Sequence, residues 1–372
     1  MGVPLFLLFS LYERLLMKSP SVLLVITDTG GGGAELIVRK IAALGSKDFR
    51  YKVLYLKNSA RRELEDNEIC LNIGWLWNPL SMIRVLLWVR RYSYLGYTII
   101  HAHLTHPLYL CALAPVKNGT KKLFTEHNTW NRRRLIPLLK FVERPIYRQY
   151  HQIACISQAV KSSLSEWLGP ALATKLQVVE NGARTFAFRP RSRYQFGSNH
   201  GLSGIVVGSL TPQKNHAFAL ELVARSGESI EKLYFVGDGP LKSRLQRQSR
   251  DLGVTEKISF EGFQEDIEAY LYRADFALVP SLWEGFGLVI IEQVSSGLPT
   301  LVSNVDGAAQ LVEDMAISKA LALDDLDAWV REIEGLRAAD SRLLVELQSD
   351  SVSASKMDVN KMIHDYEKWY VS

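Results

Sequence analysis

The sequence predicts an α/β protein of two consecutive domains, each built on a parallel sheet. Short apolar runs recur with helix-length segments between most of them, and they are apolar throughout rather than alternating, as strands covered on both faces are. The series also stops and restarts once, across a stretch rich in Arg, Pro, Ser and Gly at 184–200. At 372 residues and 47% hydrophobic, the chain exceeds what one core of ordinary size holds.

The first unit is legible residue by residue. Residues 22–27 (VLLVIT) form a strand pattern, a glycine loop follows at 30–33, and apolar periodicity predicts a helix over 34–44. Further strands are expected at 52–56, 97–101, 122–125 and 152–156. The second series places strands at 204–207, 233–236, 258–260, 276–279 and 300–302. The expected division is an extension at 1–16, a first domain at 17–188 and a second at 189–355, since Met17 precedes the first strand pattern and residues 3–11 lack a signal peptide's basic start and cleavage site.

Composition narrows the function. Cys70, Cys111 and Cys155 are widely spaced, which argues against a disulfide framework or zinc site and for a cytoplasmic setting. The formal charge of +5 is spread among acids, so nucleic acid is not the expected partner. No run reaches the roughly 20 apolar residues of a membrane-spanning helix. One local exception is basic: Arg132, Arg133, Arg134, Lys140, Arg144 and Arg148 accompany an apolar set of Leu135, Leu138, Leu139 and Val142. It reads either as a solvated face over core, with Pro137 and Pro145 breaking any long helix, or as a surface for anionic lipid or a phosphorylated acceptor.

Ligands of parallel sheets bind beyond the carboxyl ends of the strands, which directs attention to the segments that follow each strand. The sharpest is PSLWEGFGLVIIE at 280–292, where a strand ends, a glycine turn follows and an apolar helix begins near Gly287 and Leu288. Free amides at that helix start suit a diphosphate, and Glu292, on an otherwise apolar helix, suits a ribose diol unless a neighbouring cation pairs with it. Glu284 lies in the loop ahead of the helix. His103 and His127 fit hydrogen bonding or proton handling better than metal ligation, and His101 and His106 fit structural roles. GDGP at 237–240 lacks the third glycine of a dinucleotide fingerprint, with Pro240 as a helix's first residue, and the acids of DLD at 325–327 suit a helix start; no catalytic metal is expected.

In order and spacing, GGGAE (31–35), HAH (101–103), SQAV (157–160), ENG (180–182), VGSLTPQKNH (207–216), FVGDGPL (235–241), FEGF (260–263) and the two glutamates seven residues apart resemble the retaining glycosyltransferases of family 4. The resemblance implies a GT-B fold of two Rossmann-like domains facing across a cleft, with residues 356–372 as a terminal helix packing back on the first domain. It implies a nucleoside-diphosphate sugar as donor, held by Lys214 at the diphosphate, Glu292 at the ribose, Glu284 at the sugar and the Glu261–Phe263 loop, with Gly262 and Phe263, at the base. Gly32 and Gly33 would approach donor phosphates or acceptor, and His103 the reacting sugar. The acceptor implied is a saccharide, lipid-linked, in bacterial surface-polysaccharide assembly, with the enzyme cytoplasmic or peripheral on the inner face of the membrane, and with no cofactor. Ser209 departs from the pattern, which carries arginine there. An epimerase or phosphorylase on this fold, a sugar-nucleotide-binding scaffold and a dinucleotide oxidoreductase are the rival readings.

Overall fold

In the computed structural model, which describes residues 19–30, 32–129, 131–190 and 200–372, the strands form two wholly parallel sheets. The expected extension at 1–16, Gly31 and the middle of the linker lie outside the described residues. The first sheet runs β3-β2-β1-β4-β5-β6-β7, from β1 (Ser21–Ile26), β2 (Arg50–Tyr55), β3 (Glu68–Cys70), β4 (Ile99–His103), β5 (Lys121–Glu126), β6 (Gln152–Cys155) and β7 (Leu176–Val178). The second runs β10-β9-β8-β11-β12-β13, from β8 (Leu202–Val207), β9 (Ile230–Val236), β10 (Ile258–Gly262), β11 (Phe276–Val279), β12 (Thr300–Ser303) and β13 (Lys319–Leu321).

Helices of eight residues or more are α1 (Gly33–Leu44), α2 (Pro79–Tyr94), α3 (Thr105–Leu113), α4 (Leu139–Arg148), α5 (Gln158–Leu168), α6 (His216–Arg225), α7 (Lys242–Asp251), α8 (Leu288–Ser295), α9 (Leu326–Ala338), α10 (Leu343–Ser355) and α11 (Val359–Val371). Strand β1 shows why its run is continuously apolar: Val22, Leu24 and Ile26 enter one core while Leu23 and Val25 enter the other, so both faces are covered. The face of Val22 is closed by α11, through Met362, Ile363, Tyr366, Trp369 and Tyr370. Glu367 fixes that helix by accepting hydrogen bonds from the Ser46 amide and the Tyr51 hydroxyl.

Strand order reverses between β1 and β4 in the first sheet, and between β8 and β11 in the second. Such switch points leave a crevice at the carboxyl ends of the strands, where ligands bind in open α/β sheets. The glycine loop, Lys214 and the 280–292 segment follow β1, β8 and β11, and His103 is the last residue of β4.

Three local expectations are corrected. Strand β4 runs two residues further than expected, so His103 ends the strand rather than following it. Helix α7 begins at Lys242, leaving Pro240 in the preceding turn. In the 132–148 segment Pro137 separates a 3₁₀ turn (Arg132–Leu135) from α4, but Pro145 lies inside α4, forgoing only the bond to the Phe141 carbonyl. The two faces are also inverted. Arg133 pairs with Glu143 and Arg134 with Glu126, and Arg144 reaches the Trp167 carbonyl, whereas Leu135, Leu138 and Val142 are exposed. The side chain of Arg132 lies outside the described residues.

Candidate active site

From the first domain come the glycine loop and a histidine pair. Asp28 anchors the loop by accepting from the Ser59 amide and hydroxyl, and Gly33 opens α1 beside Leu288 of the facing domain. Gly32 lies against the Glu35 carboxylate, which would have to shift to admit a Cβ. His103 is fully buried, and its Nδ1 lies 3.0 Å from His127 Nε2. Burial holds His127 down to about 3 and His103 well below the usual histidine range, so both rings are neutral at physiological pH and share one proton across that contact. The other nitrogen of His103, Nε2, is buried without a hydrogen-bond partner among the described residues. His101 has the structural role expected of it, bonded to Tyr370 and Thr125 at 2.9 and 2.7 Å.

The 280–287 loop carries the second domain to these histidines. Gly285 packs so closely on the His127 carbonyl that a Cβ would collide with it, which is the physical reason for glycine there. Thr129 Oγ1 donates to the Glu284 carbonyl at 3.3 Å and Ser157 Oγ to the Gly285 carbonyl at 3.4 Å, tying the loop across the cleft. Gly287, at φ 78°, turns the chain into α8 in a left-handed conformation that few side chains tolerate. The Glu284 carboxylate is 5% exposed and is held by Lys214 Nζ and Ser281 Oγ, 2.5 and 2.7 Å from Oε1. Two residues singled out separately in the sequence are therefore one ion pair. Ser281 carries no sequence signal for this role beyond its place at the strand end.

Glu292 is the fifth residue of α8 and is half-buried. Its carboxylate makes no hydrogen bond or ion pair among the described residues. Burial pushes it up to about 7, against the opposing pull of Lys40 and Arg184. Lys40, on α1, is itself lowered by burial, with Glu292 opposing that shift. Nothing near Glu292 in sequence announces Lys40, because α1 reaches it from the other domain.

The remaining candidates lie along the same edge of the second sheet. Ser209 is exposed just after β8, Gly262 ends β10 with its carbonyl taken by the Gly237 amide, and the Phe263 ring stands 71% exposed. His216, at the start of α6, is buried with both ring nitrogens unpartnered among the described residues and is held down to about 4 by burial and by nearby Lys214. Asp325 caps α9 by accepting from the Ala328 amide, so the DLD segment does sit at a helix start. On the β12 side of Glu284 a cavity of about 600 Å³ opens between Thr129 and Ser163 of one domain and Leu282, Trp283, Asn304 and Asp306 of the other.

Comparison with known proteins agrees with this geometry. Residues 30–185 match the model for Glycosyltransferase Family 4, and residues 203–338 that for Glycosyl transferases group 1. The chain is 31% identical over 144 residues to a UDP-Gal:alpha-D-GlcNAc-diphosphoundecaprenol alpha-1,3-galactosyltransferase of Escherichia coli, a match covering 37% of each chain. It is 27% identical over 287 residues to a glycogen synthase of Mycobacterium tuberculosis, covering 70% of this chain and 68% of that one. In fold it is similar to Anabaena Alr3699/HepE, solved in complex with UDP and glucose, at a TM-score of 0.79 and 20% identity over 95% of this chain and 99% of that one. With matched models on both sides of the cleft and the two facing parallel sheets of a GT-B protein, the chain belongs to glycosyltransferase family 4.

Proposed function

We propose that the protein transfers one sugar, with retention of anomeric configuration and without a metal ion, from a nucleoside-diphosphate sugar to a lipid-linked saccharide in bacterial surface-polysaccharide assembly at the inner face of the membrane. One observation carries the reading: the Lys214–Glu284 pair and the start of α8 face the His103–His127 pair across a cleft at the switch points of both sheets. The relatives support the substrate classes, since the Escherichia coli protein is named for a UDP-sugar donor and a diphosphoundecaprenol acceptor and the Anabaena protein was solved with UDP and glucose.

In this reading Phe263 stacks on the base, Glu292 accepts from the ribose hydroxyls, and the first amides of α8, with Lys214, meet the diphosphate. Lys214 is shared between Glu284 and the arriving phosphate. As the bond between the anomeric carbon and the diphosphate oxygen breaks, negative charge collects where Lys214 and the α8 amides lie. The acceptor oxygen bonds to the same carbon from the same face, and its proton passes to the departing diphosphate oxygen. Glu284 favours the positive charge growing at the sugar, and His103 offers Nε2 to a sugar hydroxyl. The cavity beside Trp283, with apolar and hydrogen-bonding walls, is where acceptor sugar rings fit.

The test is incubation with UDP-, GDP-, ADP-, CMP- and dTDP-sugars and a polyprenyl-diphosphate saccharide, following nucleotide release and the product's anomeric configuration by NMR, with and without EDTA. Transfer with retention, unaffected by EDTA, is expected. An epimerised donor without transfer would assign an epimerase instead, and binding without turnover a scaffold.

A further inference from the structure

The inversion of the 132–148 segment belongs to a larger surface. Of the twenty large hydrophobic residues exposed among the described residues, thirteen lie between Trp75 and Val142. Helix α2 turns Val85, Val89 and Tyr92 inward, yet its outer face carries Leu80, Ile83 and Leu87, exposed by 77, 51 and 58%, where a surface helix is normally polar. Across α3, the turn into α4 exposes Leu138 by 73% and Phe141 by 62%. Tyr109 of α3 joins the two groups: Trp77 meets its ring edge at 6.0 Å, Arg133 lies over the ring at 5.6 Å, and its hydroxyl donates to Glu143 at 2.6 Å.

Charge follows the same boundary. Residues 69–165 contain thirteen Lys and Arg but only two acids, Glu126 and Glu143, both buried. The rest of the chain holds thirty-one Lys and Arg against thirty-seven acids. Arg84, Arg90, Arg91 and Arg148 are exposed around the apolar residues. Trp, Tyr and aliphatic side chains ringed by Arg and Lys suit the boundary between anionic headgroups and acyl chains.

We propose that this α2–α3–α4 face inserts into the surface of an anionic lipid membrane, held by its apolar side chains rather than by the arginine run at 132–134. The inference deepens, and rests on, the reading of a lipid-linked acceptor: Trp77 packs on His106 at 4.9 Å, three residues past His103, so an inserted face sets the cleft mouth beside the bilayer. The lipid of the acceptor then stays in the membrane while its sugar reaches the histidine pair.

The experiment is flotation of the full chain with phosphatidylcholine vesicles and with vesicles containing about a third phosphatidylglycerol, alongside sedimentation and nucleotide-induced thermal shift. The protein is expected to float with the anionic vesicles and to remain largely bound at about 1 M salt, where the Debye length is about 3 Å. Leu138→Ser/Phe141→Ser and, independently, Leu80→Ser/Ile83→Ser are each expected to lower the partition coefficient at least about tenfold while leaving the nucleotide shift intact. Two distant pairs are used so that misfolding of one, visible by circular dichroism, leaves the other informative. Parent-like flotation of both folded variants, complete release by salt, absence of flotation, or a parent dimer that the variants make monomeric would each overturn the proposal. Loss of the nucleotide shift in the parent, with flotation intact, would instead count against the donor reading.

Discussion

Glu292→Gln is expected to stabilise the empty protein while crippling its affinity for donor. The Glu292 carboxyl is pushed by burial from 4.5 to about 7, with no contacting cation to offset the cost. Between those values the folded state binds more protons than the unfolded state, so this group's contribution is fully present below about 4.5, declines as pH rises and is lost above about 7. A shift of that size is worth about 3 kcal/mol at most, and partial solvent access brings the expected range to about 1–3 kcal/mol. Glutamine keeps the shape without the charge. Thermal unfolding of both proteins should therefore agree near pH 5 and diverge near pH 8, with the variant melting several degrees higher, at about 2–4 °C per kcal/mol for domains of this size. A saturating nucleoside diphosphate should then reverse the order. A variant that melts lower near pH 8, or whose difference from the parent is the same at both pH values, would refute the reasoning and make Glu292 a paired structural residue.

In steady-state kinetics Glu292→Gln should raise donor KM by about tenfold to a hundredfold with less effect on kcat, as loss of a charged hydrogen bond worth about 1.5–3 kcal/mol requires. Glu284→Gln should lower kcat more than it raises KM, because the charge it answers appears only in the transition state. Lys214→Met strands the buried Glu284 carboxylate with Ser281 alone and should cost about 1–3 kcal/mol of stability in urea unfolding, besides weakening the diphosphate grip; unchanged stability would mean the pair contributes nothing to the fold. Ser209→Arg should tighten nucleoside-diphosphate binding by calorimetry if the loop after β8 reaches the phosphates, whereas weaker binding in a folded variant would show another cation already there.

Strands covered on both faces were legible because their apolar runs are continuous, as in β1, β5, β8 and β11. The three that were missed, β3, β7 and β13, are three-residue strands at sheet edges, too short for any periodicity and stabilised mainly by the neighbour they add to. The motif residues are legible because they stand at or just beyond the carboxyl ends of strands: the glycine loop after β1, His103 at the end of β4, Lys214 after β8 and Glu284 after β11. Their partners were not: the Lys214–Glu284 pair spans seventy residues of sequence, Lys40 meets the field of Glu292 from the other domain, and His127 joins His103 only because β5 lies beside β4. The 132–148 segment stays ambiguous in the sequence because periodicity separates a helix's faces without saying which one is covered. Buried Glu126 and Glu143, which draw Arg134 and Arg133 inward, decided it.

The central claim is that the cleft between the two sheets holds a nucleoside diphosphate by Glu292, Lys214 and the start of α8. It is tested most directly by thermal unfolding with UDP, GDP, ADP, CMP and dTDP, for the parent and for Glu292→Gln. At a hundred times its dissociation constant the correct nucleotide should add about 2.7 kcal/mol, a shift of several degrees in the parent that is sharply reduced in the variant. A parent that none of the five stabilises, or a variant stabilised as fully as the parent, would contradict it.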